Sequence, residues 1–264
     1  IQFVSAAEDH SLTPDIFKAM SSLIINFDNA DSIFDDVAGL IISLLENSFF
    51  NLDVMECLAT LISKSEEKSA EHYAHLLQLC YSIISSDDEN ANIIKPIAIR
   101  CISLLGTKNI EAFQGSAQDF AELIIPTIEN PDFTYESINA FGRLVESYPD
   151  TFNEYSDSII PQFIAICKSD LTPQENNEAV FMGDDDQELD SQYDEMLKRV
   201  SASLRIVCII LKSYPDKIPA LEEELFACFE NVATCNLLPM TMTNLAESIV
   251  LFAEGLSKLG SPEE

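Results

Sequence analysis

Apolar residues recur three and four positions apart along almost the whole chain, and strict alternation is nearly absent. Between Asp31 and Leu45 the apolar positions 33, 34, 37, 41, 44 and 45 fall on one broad helical face. The same reading predicts helices over 13–26, 31–46, 52–63, 67–85, 89–105, 117–129, 133–147, 151–168, 190–212, 216–232 and 240–259. No strand is needed. Thr13 before Pro14 is a cap followed by proline at the first helical position, and Asp31 and Asp132 stand where N-caps belong. The connections are short, so consecutive helices are expected to pack antiparallel.

The helices group in pairs that repeat. First helices begin near 13, 52, 89, 133, 190 and 240, a spacing of about 37 to 57 residues that brackets the period of HEAT and armadillo units. Ser147-Tyr148-Pro149-Asp150 and Ser213-Tyr214-Pro215-Asp216 each close a first helix, and each precedes a helix bearing Ile-Pro, at Pro161 and Pro219. Ile125-Pro126 stands similarly in the preceding pair, where proline fits only the first turn or a kink. Asn130-Pro131-Asp132 makes a turn before a helix whose small residues Ala140 and Gly142 would admit a close neighbour. The expectation is all-α: one continuous α-solenoid, a right-handed superhelix over 1–264, of about five to six helix pairs. The one long interruption, about 172–193, is acidic and without a basic residue. It reads as a surface loop in which Val180, Phe181 and Met182 anchor while Asp184 to Asp190 project, or as a solvated linker.

Composition narrows the function. The chain has 264 residues with 14 Lys+Arg against 45 Asp+Glu, a formal charge of −31. At 47% hydrophobic it can still bury a sizeable core. Direct nucleic-acid binding is not expected, because phosphates need clustered cations and Lys198-Arg199 is the only adjacent basic pair. Basic proteins are the favoured partners. The cysteines are odd in number, seven, and most lie in apolar helical runs, so they read as reduced core residues of a cytosolic or nuclear protein. No apolar run approaches the ~18 residues of a membrane span, and no membrane insertion is expected. The first residue is Ile and the opening residues resemble the end of a helix, so the chain reads as a piece of a longer one.

Catalytic and metal chemistry find little support. His72 and His75 lie three apart beside Glu71 but lack a well-placed third ligand, so an exposed polar helix edge is the preferred reading. Asp184, Asp186, Glu188 and Asp190 with Glu195 imitate a calcium-loop series, but Leu189 stands where that loop needs glycine. There is no Gly-rich phosphate loop, no nucleophile elbow and no nucleophile beside a histidine, so neither enzymatic activity nor a cofactor is expected. Phe49-Phe50 is read as burying into the next repeat rather than as an exposed ligand.

From the acidic stretch through Met196–Leu225 the sequence resembles karyopherins of the importin-β superfamily, in which an acidic loop precedes a helix of small and aliphatic residues, a short turn, and a helix opening with proline. Tyr135–Pro161 is similar to another karyopherin repeat, above all Phe152-x-x-Tyr155 before an apolar-Pro second helix. The resemblance spans about 115–232; earlier residues agree only in architecture. It implies part of a longer nuclear transport receptor, shuttling between cytoplasm and nucleus, with basic protein cargo, the GTPase Ran and nucleoporin FG repeats as partners. On that reading, second helices line a concave acidic surface where Glu154 and Asp157, and Glu222, Glu223 and Glu224, face cargo or Ran. Asp184, Asp185, Asp186, Glu188 and Asp190 act as a polyanionic competitor or gate for basic ligand. A structural HEAT scaffold of a multiprotein complex, with no Ran binding, would show the same periodicity. A tubulin-binding module is disfavoured because tubulin is itself acidic.

Overall fold

The computed structural model describes residues 13–129, 133–169, 171, 185–235 and 238–259, with the backbone alone for 185–192. These residues are helical, with no strand among them, and no helix among them is long and apolar enough to cross a membrane. The chain divides into two compact units, Ile1–Gly115 and Ser116–Glu264. Asp132, Val180, Phe181, Met182 and Asp184 lie outside the described residues.

The first unit contains α1 (Thr13–Ile25), α2 (Asp31–Glu46), α3 (Leu52–Lys64), α4 (Glu67–Glu71), α5 (Tyr73–Ile84), α6 (Lys95–Lys108) and α7 (Ile110–Phe113), with a 3-10 turn at Glu89–Ile94. Helix α3 packs between α1 and α6, while α2 packs on α3 and α4, and α5 on α6. Each of the longer helices buries the stripe its spacing predicts: in α2, Phe34, Val37, Ala38, Ile41, Leu44 and Leu45.

Three predicted boundaries move, each for a local reason. The helix expected over 67–85 is broken at His72, where the backbone leaves helical torsions (φ −90°, ψ 3°). Asp31 was expected to cap its own helix, but it is the first residue of α2, after Ala30. Its carboxylate instead accepts the Ser65 hydroxyl and the Lys68 backbone N–H (3.0 Å) at the start of α4. Those bonds hold the Asp31 carboxyl below the usual aspartate range. Over 89–105, Pro96 is the second residue of α6 and a 3-10 turn precedes it.

The second unit contains α8 (Ala117–Ile124), α9 (Tyr135–Ser147), α10 (Pro149–Asn153), α11 (Ser156–Cys167), α12 (Asp185–Ser213), α13 (Ile218–Ala233) and α14 (Pro239–Leu259), with 3-10 turns at Ile125–Thr127 and Pro215–Lys217. Pro126, lacking an N–H for the Glu122 carbonyl, ends α8 there. Pro219 opens α13 and Pro161 lies inside α11. Helix α12 is central: it packs on α9, α11, α13 and α14. Accordingly its run Ile206–Leu211 is buried all round. The acidic segment was expected to remain a loop to residue 193, yet its backbone is helical from Asp185. Carboxylates are favoured at a helix N-terminus, where the dipole is positive.

The repeated turn is visible in the backbone. Tyr148 and Tyr214, each preceding proline, take nearly the same torsions (φ −130°, ψ 56° and φ −128°, ψ 70°). Each donates its N–H one turn back, to Leu144 and Ile210 at 2.9 Å. The Tyr214 hydroxyl then donates to the Pro149 carbonyl at 2.9 Å, tying one turn to the other. Gly142 admits α12 closely, as expected: a Cβ there would lie 3.2 Å from Ile206 Cγ1.

Lysines close helix ends across neighbours. Lys108 Nζ on α6 donates to the carbonyls of Ile62 (2.8 Å), Ser63 (2.8 Å) and Ser65 (2.6 Å) at the end of α3. Lys258 on α14 donates to the Lys212 carbonyl of α12 at 2.7 Å. Replacing Lys108 by Met keeps the stem and removes the cation from three carbonyls, of which Ser65 keeps the Ser69 hydroxyl as a second donor. Urea unfolding should then show a loss of about 1 to 2 kcal/mol, and Lys258→Met, with one such bond, a smaller one.

Candidate functional site

The expected binding carboxylates of the second unit come from α11, α13 and the bend before α11. Glu154, Asp157, Glu222, Glu223 and Glu224 are all exposed. Helix geometry explains this: Leu225 and Cys228 turn the opposite side of α13 inward, as Ile159, Ile160 and Phe163 do in α11.

Two of the five are already engaged. Lys217 Nζ lies 2.7 Å from Asp157 Oδ1, and Lys168 Nζ lies 2.5 Å from Glu224 Oε2. Both pairs link the α11 segment to the α13 segment, and the Lys168 ammonium is held above its usual range by Glu224. Asp157 is 92% exposed, so that pair contributes little to stability. Asn231, on the same helix as Glu224, donates from Nδ2 to the Cys167 (2.8 Å) and Ser169 (3.1 Å) carbonyls and closes the end of α11. Glu154, Glu222 and Glu223 make no ion pair among the described residues and leave uncompensated negative charge beside these struts.

The other carboxylate set, Asp185, Asp186, Glu188 and Asp190, occupies the opening turns of α12 rather than a free loop. Glu195, further along, accepts the Tyr135 backbone N–H at 3.0 Å and serves the start of α9. A helical backbone from Asp185 does not form the tight turn a calcium loop requires.

Sequence spacing missed how two cations of α12 are used. Arg205 bridges Glu146 of α9 (3.0 Å) and Glu247 of α14 (2.5 Å), and Lys212 meets Glu254 at 2.7 Å. In the first unit His72 and His75 face α2: His72 Nε2 is 2.8 Å from Asp35 Oδ1 and its ring stacks on Phe34, while His75 Nε2 is 3.6 Å from Glu46 Oε1. No group of three or more His, Cys, Asp or Glu among the described residues is arranged to hold a metal ion. Phe49 and Phe50 are half-buried. The cysteines are free thiols, six of them buried, and burial pushes Cys57 up to about 11 and Cys208 up to about 12.

No known protein family, curated protein or solved structure matches this chain.

Proposed function

We propose that this chain is a protein-binding solenoid of HEAT-like helix pairs, part of a nuclear transport receptor that carries basic protein cargo through nuclear pores under Ran-GTP control. The observation that carries the protein-binding part is the surface of α11 and α13, where Glu154, Glu222 and Glu223 stand exposed without ion pairs, next to Asp157 and Glu224 held by lysines. Such a surface attracts Lys/Arg-rich segments, and a basic ligand can exchange with Lys168 and Lys217 at small cost because both pairs are in water. Packing of α1 on α3 and α3 on α6 in the first unit, and of α9 on α12 and α12 on α14 in the second, supports the repeat reading. The transport assignment, with Ran and nucleoporin FG repeats as partners and shuttling between cytoplasm and nucleus, rests on the resemblance of residues 115–232 to karyopherins.

Immobilised chain should retain Ran loaded with GTP and not Ran loaded with GDP. Equal retention of both, or of neither, alongside intact binding of a basic peptide, favours a scaffold without Ran control. Replacing Glu154, Glu222 and Glu223 together by Gln should weaken a Lys/Arg-rich peptide about tenfold at low salt, at about 0.5 kcal/mol for each exposed charge. The loss should shrink as salt shortens the Debye length. Unchanged affinity by fluorescence anisotropy would remove this surface from the proposal.

A further inference from the structure

Helix α14 carries two seams. The inward one is small and polar for its length: Thr241, Asn244, Ser248 and Gly255 are buried with Phe252, and Asn244 Nδ2 donates to the Ser201 hydroxyl of α12 at 3.1 Å. The outward one is apolar. Met242, Ala246, Ile249, Ala253 and Leu256 follow one another at steps of four, three, four and three, and all are exposed. Met242 is 56%, Ile249 53% and Leu256 41% exposed. At 3.6 residues per turn this seam lies roughly 120° around the helix from the buried one. Its period is that of a helix-on-helix contact.

Helix α13 meets α14 at Phe252, about one turn along the helix from Ile249 and from Leu256. Phe226, 55% exposed, meets Phe252 edge-on with centroids 6.1 Å apart, and Phe229 meets Phe252 at 5.7 Å. Phe226 is thus an aromatic anchor held on one side by Phe252 and otherwise largely exposed. On either side of it along α13 stand Glu222 and Glu230, exposed and without an ion pair among the described residues. An apolar seam with carboxylates on its border selects both the shape and the charge of what covers it. A second copy, bringing another formal charge of −31, is opposed by repulsion.

We propose that the edge formed by the outward seam of α14 and Phe226 of α13 docks an amphipathic helix of a partner protein whose apolar stripe is bordered by Lys or Arg. The apolar stripe inserts along Met242, Ile249 and Leu256, Phe226 packs against its side, and the flanking cations face Glu222 and Glu230. This edge shares Glu222 with the α11–α13 carboxylate surface, but its apolar seam and Glu230 lie outside that surface, and it does not depend on the transport reading.

The test is fluorescence anisotropy with the full chain and three labelled 21-residue helical peptides: Leu at heptad a and d positions with Lys flanks, the same composition scrambled, and the Leu seam with Glu flanks. The ordered Lys peptide should bind at least tenfold tighter than either control. Ile249→Asp and Phe226→Asp, both at exposed positions, should each weaken it at least tenfold while circular dichroism keeps its helical signal; melting should stay unchanged for Ile249→Asp and fall modestly for Phe226→Asp, which loses its contact with Phe252. Glu154→Gln should leave it unaffected, which separates this edge from the carboxylate surface. Equal binding of the scrambled peptide would mean general attraction to an acidic chain and overturn the proposal, as would full affinity in a folded Ile249→Asp variant. Sedimentation equilibrium showing a wild-type dimer that Ile249→Asp converts to monomer would assign the edge to a second copy and overturn it equally.

Discussion

Phe141→Ala should destabilise the second unit by about 3 to 5 kcal/mol, the range for emptying a buried phenylalanine site. Phe141 is fully buried on α9 and meets Phe152 of α10 edge-on at 5.2 Å and Phe163 of α11 at 5.9 Å. The ring therefore joins three helices around the Tyr148-Pro149 turn, and those rings cannot collapse onto a methyl group without moving the turn. Phe141→Leu, which keeps most of the volume, should lose much less. Phe226→Ala provides the surface control: with a ring 55% exposed, it should cost under half as much. Urea unfolding followed by far-ultraviolet circular dichroism measures all three. A loss for Phe141→Ala no larger than for Phe226→Ala would mean that this aromatic junction does not organise the unit.

How much of this could be read from the sequence depends on how local the cause is. Helix extents follow from spacing, so α2, α3, α9 and α14 stand close to where they were expected, although α14 turns a small, polar seam inward and leaves an apolar one exposed. The paired Ser-Tyr-Pro-Asp turns were legible because proline restricts its neighbourhood: it disfavours helical torsions in the residue before it, and both tyrosines take nearly the same torsions. Gly142 was legible for a similar reason, a small residue inside an apolar stripe. The break at His72 was not, because its neighbourhood is held by carboxylates on α2: Asp31 at Ser65 and Lys68, Asp35 at His72. A bond between residues more than thirty positions apart leaves no trace in a local pattern.

The candidate site was legible as composition and not as pairing. The resemblance put Glu154, Asp157 and Glu222 to Glu224 on a binding surface, and all five are exposed. That Asp157 and Glu224 are engaged while Glu154, Glu222 and Glu223 are not depends on where Lys217 and Lys168 arrive from the neighbouring segment. The scarcity of cations was the available signal: with 14 Lys+Arg against 45 Asp+Glu, each lysine next to a helix end is expected to find a carboxylate or a carbonyl. The acidic run before Tyr193 misled in the other direction, because charge density reads as loop when the helix-terminal preference for carboxylates is left out.

Gly255→Ala and Gly39→Ala are the same chemical change with opposite expected signs. Both glycines lie in helices, α14 and α2. In an open helical position the substitution gains about 0.5 to 1 kcal/mol, because alanine loses less backbone freedom on folding. Gly39 is such a position: it is exposed and a Cβ there meets nothing within 4 Å. At Gly255 a Cβ would lie 3.0 Å from Ile218 Cδ1, 3.1 Å from the Leu211 carbonyl oxygen and 3.4 Å from Lys212 Cα. The isoleucine tip can swing away. The carbonyl and the Cα are backbone of α12, and they recede only if the whole of α14 shifts from a face that Thr241, Asn244 and Ser248 keep closely packed. Overpacking of that kind costs about 1 to 3 kcal/mol, enough to exceed the helix-propensity gain. The melting temperature should rise for Gly39→Ala and fall for Gly255→Ala. A rise for both would mean that α14 stands far enough from α12 to accept a methyl group, and that the small-residue seam is not what sets their separation.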